Sequence, residues 1–378
     1  MIFLKYEIVN KETKKAFPSD EEALVKYSIS YPELKGKDRF SKVFNGFYSL
    51  LSKRYEEFAK NNESTKEMMA ELTEKYGWSE QYGFGTEGDQ HNEIGRFHYW
   101  GTPAQGYYRS TDKAAIRRNL TLLQNAGIDF IIADFTFVDG GSVRHAQFWN
   151  SHVQYSTEAL LDTMTEMRAE GLKTPYVVMW PNTLDAFDVF YDRFYGVEKW
   201  KDCFVYRDGK PFILHWNHKT SETERFTTRG MYGLQGKVGT GQWSYLETDN
   251  SLTVSYDAEG NPEHVGVSVA TQETYMSNVA TAHGRQGGRF WNAQWQTAFA
   301  THPKIVTLTW WNEWTAQRLE VSPGTYHFTD NYNEDYSRDI EPMEGGHGDQ
   351  YYKWMIQYIS AYKGGLECPV LIEEEYED

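Results

Sequence analysis

The sequence is poor in cysteine, in basic residues and in long apolar runs, and each shortage closes off a class of protein. Two cysteines, Cys203 and Cys368, among 378 residues supply neither a disulfide framework nor a CxxC metal site. Lys and Arg number 38 against 54 Asp and Glu, a net charge of −16. No basic run offers the face that counterion-driven binding of a polyanion needs, so no nucleic-acid partner is expected. No apolar stretch reaches membrane-spanning length, and the opening MIFLKYEIVNKETKK holds too short an apolar stretch for a secretory signal. A soluble chain with no membrane partner is therefore expected, cytoplasmic by default and secreted or periplasmic if a leader precedes it. Neither GxGxxG nor GxxxxGK[ST] falls between a strand and a helix, which argues against dinucleotide and P-loop sites. No cofactor is expected.

What abounds is aromatic: 13 Trp, 27 Tyr and 21 Phe, 16% of the chain. Indole faces stack on the apolar faces of sugar rings while the N–H keeps a polar partner. Core filling alone also accounts for any single Trp.

Residues 1–78 are rich in Lys and Glu. Phe40, Val43, Phe44, Phe47, Leu51, Tyr55 and Phe58 recur there at helical spacing, which predicts a small, mainly helical accessory region. Residues 79–378 change to a repeated order of helix, glycine and apolar strand. Ser110-Thr111-Asp112 is good N-cap chemistry for a helix carrying Ile116, Leu120 and Leu123 on one face, and Gly127 ends it. IDFIIADF follows as a strand buried on both sides. Ser156-Thr157-Glu158 opens a second helix with Leu160, Leu161, Met164 and Met167 inward, Gly171 closes it, and PYVVMW is the next strand. Phe290–Thr301 leads into KIVTLTWW, and a last helix spans about Asp349 to Tyr362.

This alternation predicts an α/β fold built on parallel strands. Several strands end in polar or aromatic residues: FHYW, FIIADF, VVMWPN, FILHWNH and TLTWWNE. Functional groups on many strand ends converge at one mouth in a (β/α)8 TIM-type barrel, and that architecture is expected for 79–378.

Glycosidic cleavage needs two carboxyl groups across the scissile bond. Glu313, after the apolar run Ile305–Thr309 and between Trp311 and Trp314, fits the general acid, because aromatic neighbours desolvate a carboxyl and raise its pKa. The alternative is a structural pair with Arg318. Asp134, late in an apolar strand, is the second carboxylate; three roles stand open for it, as catalytic group, sugar-hydroxyl ligand or partner of an Arg. His98, Trp100, Trp180, Asn182, His215, Trp216, His218, Trp311, Asn312 and Trp314 are expected to line the same mouth as substrate-binding residues. His215 and His218 stand three apart after a strand rather than stacked on a helix, so no zinc site is read there. The acidic stretch TDNYNEDYSRDIEPMEGGHGDQYY does not match an EF-hand loop and reads as a cap over the mouth, with Arg338 paired to Asp339 or Glu341.

The stretches GYYRSTDKAAIRRNLTLLQNAGIDFIIADFT, HVGVSVATQET, KIVTLTWWNEWTAQR and YNEDYSRDIEPMEGGHGDQYY give residues 95–365 a resemblance to bacterial carbohydrate-active proteins related to glycoside hydrolase families 71 and 99, the latter the endo-α-mannosidases. The resemblance implies a (β/α)8 barrel acting on an oligo- or polysaccharide by carboxylate acid/base catalysis. It also implies that Glu313 matches the acidic residue of a strand-end NEW-type motif. The family's second Glu, three positions on, is Ala316 here. A partner carboxyl must come from elsewhere, Asp134 first and then Glu320 or Glu341, and neither mannose specificity nor mechanism carries over. Two other readings remain beside the glycosidase: a non-catalytic carbohydrate-binding barrel, and a protein associated with polysaccharide biosynthesis.

Overall fold

A computed structural model describes residues 97–99, 101–138, 149–216, 224–231, 241–246, 252–271, 276–277, 283–322, 325–329 and 335–373. The accessory region expected over 1–78, and its boundary with the rest, lie outside these residues.

Helix α1, Lys113–Asn125, starts where the sequence places it. Asp112 is extended and its carboxylate accepts from the amides of Ala114 (2.9 Å) and Ala115 (3.3 Å), satisfying two of the orphan donors of the first turn. It stops at Gly127, whose φ of +82° lets the Ile128 amide reach back to the Leu123 carbonyl at 3.0 Å. Helix α2, Tyr155–Ala169, begins earlier than the Ser-Thr-Glu signal suggests, because a wide turn over Asn150–Gln154 runs straight into it. Ser156 and Thr157 are consequently buried inside the first turn instead of capping it. Leu160, Leu161, Met164 and Met167 face inward as expected, each about 1.5–3 kcal/mol of apolar burial. Helices α3 (Phe187–Phe190), α4 (Arg289–Thr301) and α5 (Gln350–Lys363) complete the helical layer.

The apolar runs become parallel strands. In sheet order, β3 (Phe130–Phe135), β4 (Tyr176–Pro181), β6 (Lys210–His215), β7 (Thr227–Met231) and β8 (Gln242–Trp243) lie side by side, with β5 (Tyr206–Arg207) antiparallel on β6. A second group pairs β10 (Pro262–Ser268) with β12 (Ile305–Thr309) in parallel and carries β9 (Ser255–Tyr256) on its edge. The groups meet at Gly266. A Cβ there would sit 2.8 Å from the Ser244 carbonyl oxygen, so the absent side chain is what lets the backbones approach. At the other end β3 and β12 both line a cavity of about 260 Å³. The result is a curled parallel sheet with helices outside, an α/β fold.

Two cores follow from strand alternation. Ile132, Val178, Trp180, Phe212, Leu214 and Trp243 meet on the concave face with no helix residue among them. Ile131, Ala133, Val177, Met179 and Ile213 pack outward with Leu120, Leu161, Trp295 and Tyr358 of the helices. At the start of β10 the fully buried Glu263 accepts from Arg229 (3.0 and 2.8 Å), Arg207 (2.5 Å) and the Trp243 indole (3.0 Å). Beside it His264 stacks on Trp243 with ring centroids 4.6 Å apart. Helix α5 then binds to the end of α1: Lys363 Nζ donates to the Gly127 carbonyl (2.7 Å) and to Asp129 (2.6 Å), and the Tyr352 hydroxyl to the Leu122 carbonyl (2.9 Å).

Short antiparallel strands dress the C-terminal ends of the parallel ones. β13 (Thr315–Ser322) pairs with β1 (Phe97–Tyr99) and with β14 (Thr325–Thr329), which carries β11 (Met276–Ser277). β2 (Thr102–Pro103) pairs with β15 (Met343–Glu344).

Candidate active site

The concave face ends in a run of touching aromatics. Trp216 stacks on Trp180 at 5.5 Å and 22°, Trp180 meets Tyr245 at 5.1 Å, and Tyr245 stacks on Trp310 at 6.0 Å and 18°. The guanidinium of Arg338 lies over Trp310, 3.6 Å from the ring centroid. Asp134 is level with Trp180 in the β3–β4 register, so it belongs to this face, and it is 7% exposed. Its Oδ1 accepts from the Thr136 amide at 2.7 Å, while Asn182 Nδ2 donates to the Thr136 carbonyl at 2.6 Å. Asp134 and Asn182 thus grip the same turn.

Trp310 is three residues before Glu313, and one carboxylate holds both. Asp339 Oδ1 accepts from the Trp310 indole at 3.1 Å and from the Glu313 backbone amide. Its Oδ2 accepts from the Ser337 hydroxyl (2.8 Å), and Arg285 Nη2 donates to its carbonyl oxygen (2.6 Å). The segment is locked alongside the strand end by main-chain bonds as well, with the Ile340 and Glu341 amides both donating to the Trp311 carbonyl.

Glu341 holds the alternate residues. It is 1% exposed and accepts from Gln105 Nε2 (2.6 Å), the Tyr108 hydroxyl (2.6 Å), Asn312 Nδ2 (2.7 Å) and Trp314 Nε1 (2.8 Å). The β2–β15 pair brings Gln105 and Tyr108 to it. Burial raises the pKa of Glu341, and the four hydrogen bonds oppose that rise. Burial, together with the Glu341 charge, likewise raises that of Tyr108.

Of the residues expected at the mouth, Asp134, Trp180, Asn182, Trp216, Asn312, Glu313 and Trp314 come together through these contacts. Their parts differ from the expectation in one respect: Trp180 is wholly buried and supports Trp216, which keeps an exposed face. Two residues are turned away. His215 packs in the outer layer, 6.1 Å from Phe187, because Phe212 and Leu214 take the concave positions of β6 and the intervening positions point to the helices. Trp311 also faces outward, edge-on to Tyr352 at 6.1 Å, and Trp310 takes the place expected of it. β12 ends at Thr309, so strict alternation no longer decides which of the two tryptophans faces in. His98 lies in β1 with its Cα level with Ala316. Trp100 and His218 lie outside the described residues. Glu320 is a β13 residue paired with Tyr326. Arg338, expected to pair with Asp339 or Glu341, stacks on Trp310.

Tyr245 and Trp310 were not named as site residues, although Trp310 stood in the same motif. Asp339 was expected in the cap over the mouth as a partner of Arg338, not as the acceptor that holds Trp310 and Glu313. Among the described residues no group of three or more His, Cys, Asp or Glu is placed to hold a metal ion. Nor is any helix among them long and apolar enough to cross a membrane.

The fold and the mouth together define an α/β protein with a curled parallel sheet whose concave face ends in aromatics and carboxylates. Its sequence matches no family model and no curated protein. Among solved structures it is similar to the GH99 endo-alpha-mannosidase from Bacteroides thetaiotaomicron, at 12% identity and a TM-score of 0.47 over 71% of this chain and 85% of that one. It is also similar to a GH99 endo-alpha-mannosidase from that organism in complex with bis-tris-propane (13%, 0.49, 71% and 89%) and to a glycoside hydrolase-like protein (14%, 0.44, 69% and 89%). The family 99 resemblance read from the sequence recurs in these neighbours.

Proposed function

We propose that the protein is a glycoside hydrolase that cleaves an oligo- or polysaccharide, with Glu313 as general acid/base and Asp134 as the second carboxyl group. The observation that carries this reading is the continuous aromatic wall from Trp216 to Trp310, which ends three residues from Glu313 and has Asp134 level with Trp180. Its outer member, Trp216, keeps an exposed flat face that suits a sugar ring, and the buried Trp180, Tyr245 and Trp310 support it. Glu313 would protonate the leaving oxygen as the bond breaks; the other carboxylate would activate water or attack the sugar, according to the separation of the two groups. Trp216, Asn312 and Trp314 would bind the sugar near the cleaved bond. The architecture proposed with this function is a (β/α)8 barrel over 79–378, with 1–78 as a small, mainly helical accessory region.

Glu313→Gln tests the reading. The variant should lose about three or more decades of turnover while still binding oligosaccharide. Turnover at the wild-type rate would overturn it. Ala316, in the position of the second Glu of family 99, favours one competing reading, a carbohydrate-binding protein without cleavage. That reading predicts saturable sugar binding by the wild type and no new reducing ends across a broad glycan panel.

A further inference from the structure

Among the described residues the buried Glu341 has no cation paired with it. Among the described residues its partners are an indole, two carboxamides and a phenol, and no Lys or Arg forms an ion pair with it. Each of these groups can only donate in this arrangement. The Trp314 indole and the two amide nitrogens have no acceptor to offer. The Tyr108 oxygen already accepts from Asn119 Nδ2 (3.0 Å) and Asn312 Nδ2, so its own proton is directed at Glu341. Gln105 is fixed in turn by a second bond from its Nε2 to Asn119 Oδ1 at 3.1 Å. Three of the four donors converge on Oε2 and occupy that oxygen, while Gln105 holds Oε1, and the side chain is only 1% exposed, so the carboxylate is engaged with the protein and not turned to water or substrate. A carboxyl group buried in this setting is expensive without hydrogen bonds, and the four donors offset that cost.

We infer that Glu341 is a positioning residue rather than the missing second carboxylate. Through Asn312 and Trp314 it fixes the residues on either side of Glu313, while Asp339 holds the Glu313 amide between them. Two carboxylates on one segment therefore hold four of the five residues Trp310–Trp314, Asp339 taking Trp310 and Glu313 and Glu341 taking Asn312 and Trp314. Asn312 Oδ1, buried and without a partner among the described residues, is the group this arrangement presents for a sugar hydroxyl. The inference rests on the proposed function for its catalytic consequence, and on hydrogen bonding alone for its structural one.

The test is Glu341→Gln, which keeps the shape but exchanges one acceptor for a donor and removes the charge. The Trp314 indole N–H resonance, assigned by its loss in Trp314→Phe, should move upfield and lose exchange protection in the variant. In an active wild type, kcat should fall about 100-fold with a smaller change in KM, since misplacement of the reacting group near 1 Å costs that much. In the Glu313→Gln background the same change should cost little more, because both act through one group. An unchanged indole resonance overturns the inference whatever the activity. So does a full additional 100-fold loss in the double variant, or a loss in the single variant matched by its unfolded fraction. If the wild type cleaves no glycan, the proposed function falls and this inference is judged by the indole resonance together with oligosaccharide affinity, which must then weaken in Glu341→Gln.

Discussion

The backbone amide of Glu313 donates to the carboxylate of Asp339, which lies 26 residues further along the chain. The same carboxylate oxygen takes the Trp310 indole, so one side chain sets both the aromatic wall and the carboxyl group at its end. A strand terminus is ordinarily a place where backbone groups turn to water. Here Ser337, Arg285 and two main-chain bonds make the partner segment as rigid as a strand, which is what a group that must meet a reacting bond requires.

The aromatic wall separates two kinds of tryptophan. Trp216→Ala removes a half-exposed face and should weaken oligosaccharide binding about tenfold, the equivalent of ~1.4 kcal/mol, with little effect on folding. Trp180→Ala empties a fully buried position and should instead cost about 3–5 kcal/mol of stability. Calorimetric titration and urea unfolding of the two variants separate these effects; equal losses of affinity at wild-type stability would contradict the assignment.

Acid should weaken the fold through His215. The ring is completely buried, neither nitrogen has a hydrogen-bond partner among the described residues, and burial lowers its pKa from 6.5 to about 4. A folded pKa below the unfolded one means that the unfolded chain binds the extra proton first. Stability is therefore full above about pH 6.5 and falls as the pH drops towards 4, by up to about 1.4 kcal/mol per pH unit. His264, buried against Trp243 and lowered to about 3, adds a contribution of the same sign that extends further into acid. Unfolding free energies of the wild type and His215→Phe between pH 7 and 4.5 check this. The wild-type curve should be the steeper, and parallel curves would exclude His215 as a source.

Glu263 contributes over a lower range of pH. Burial raises its pKa, but hydrogen bonds from Arg229, Trp243 and Arg207 outweigh that and hold it near 2, below its ordinary 4.5. The stabilisation is present above pH 4.5 and lost as the pH falls towards 2. Glu263→Gln removes the anion and leaves two guanidinium groups facing a neutral amide. A loss of about 3 kcal/mol in urea unfolding at pH 7 is expected, since breaking a buried pair strands the remaining charge. An unchanged midpoint would show that the arginines relax to water without cost.

Much of the fold was legible because its signals are local. IDFIIADF and KIVTLTWW could be read as strands from unbroken apolar runs, and Asp112 and Gly127 as helix ends from single-residue chemistry. The site was legible only where strand ends are. His215 was misplaced because a strand end was read without its face; Phe212 and Leu214 already claimed the concave side. Trp311 was preferred to Trp310 because the chain leaves β12 at Thr309, where the two-residue period stops. The parts of Asp339 and Glu341 depend on partners up to 236 residues away, and no window on the sequence contains both ends of such a bond.

The bond from Lys363 to Gly127 and Asp129 has a consequence in time. The turn that ends α1 receives its partner only after some 234–236 further residues have been added. At a synthesis rate of about 5–20 residues per second that interval is roughly 12 to 47 s. During it the α1–β3 unit emerges with its clasp unmade.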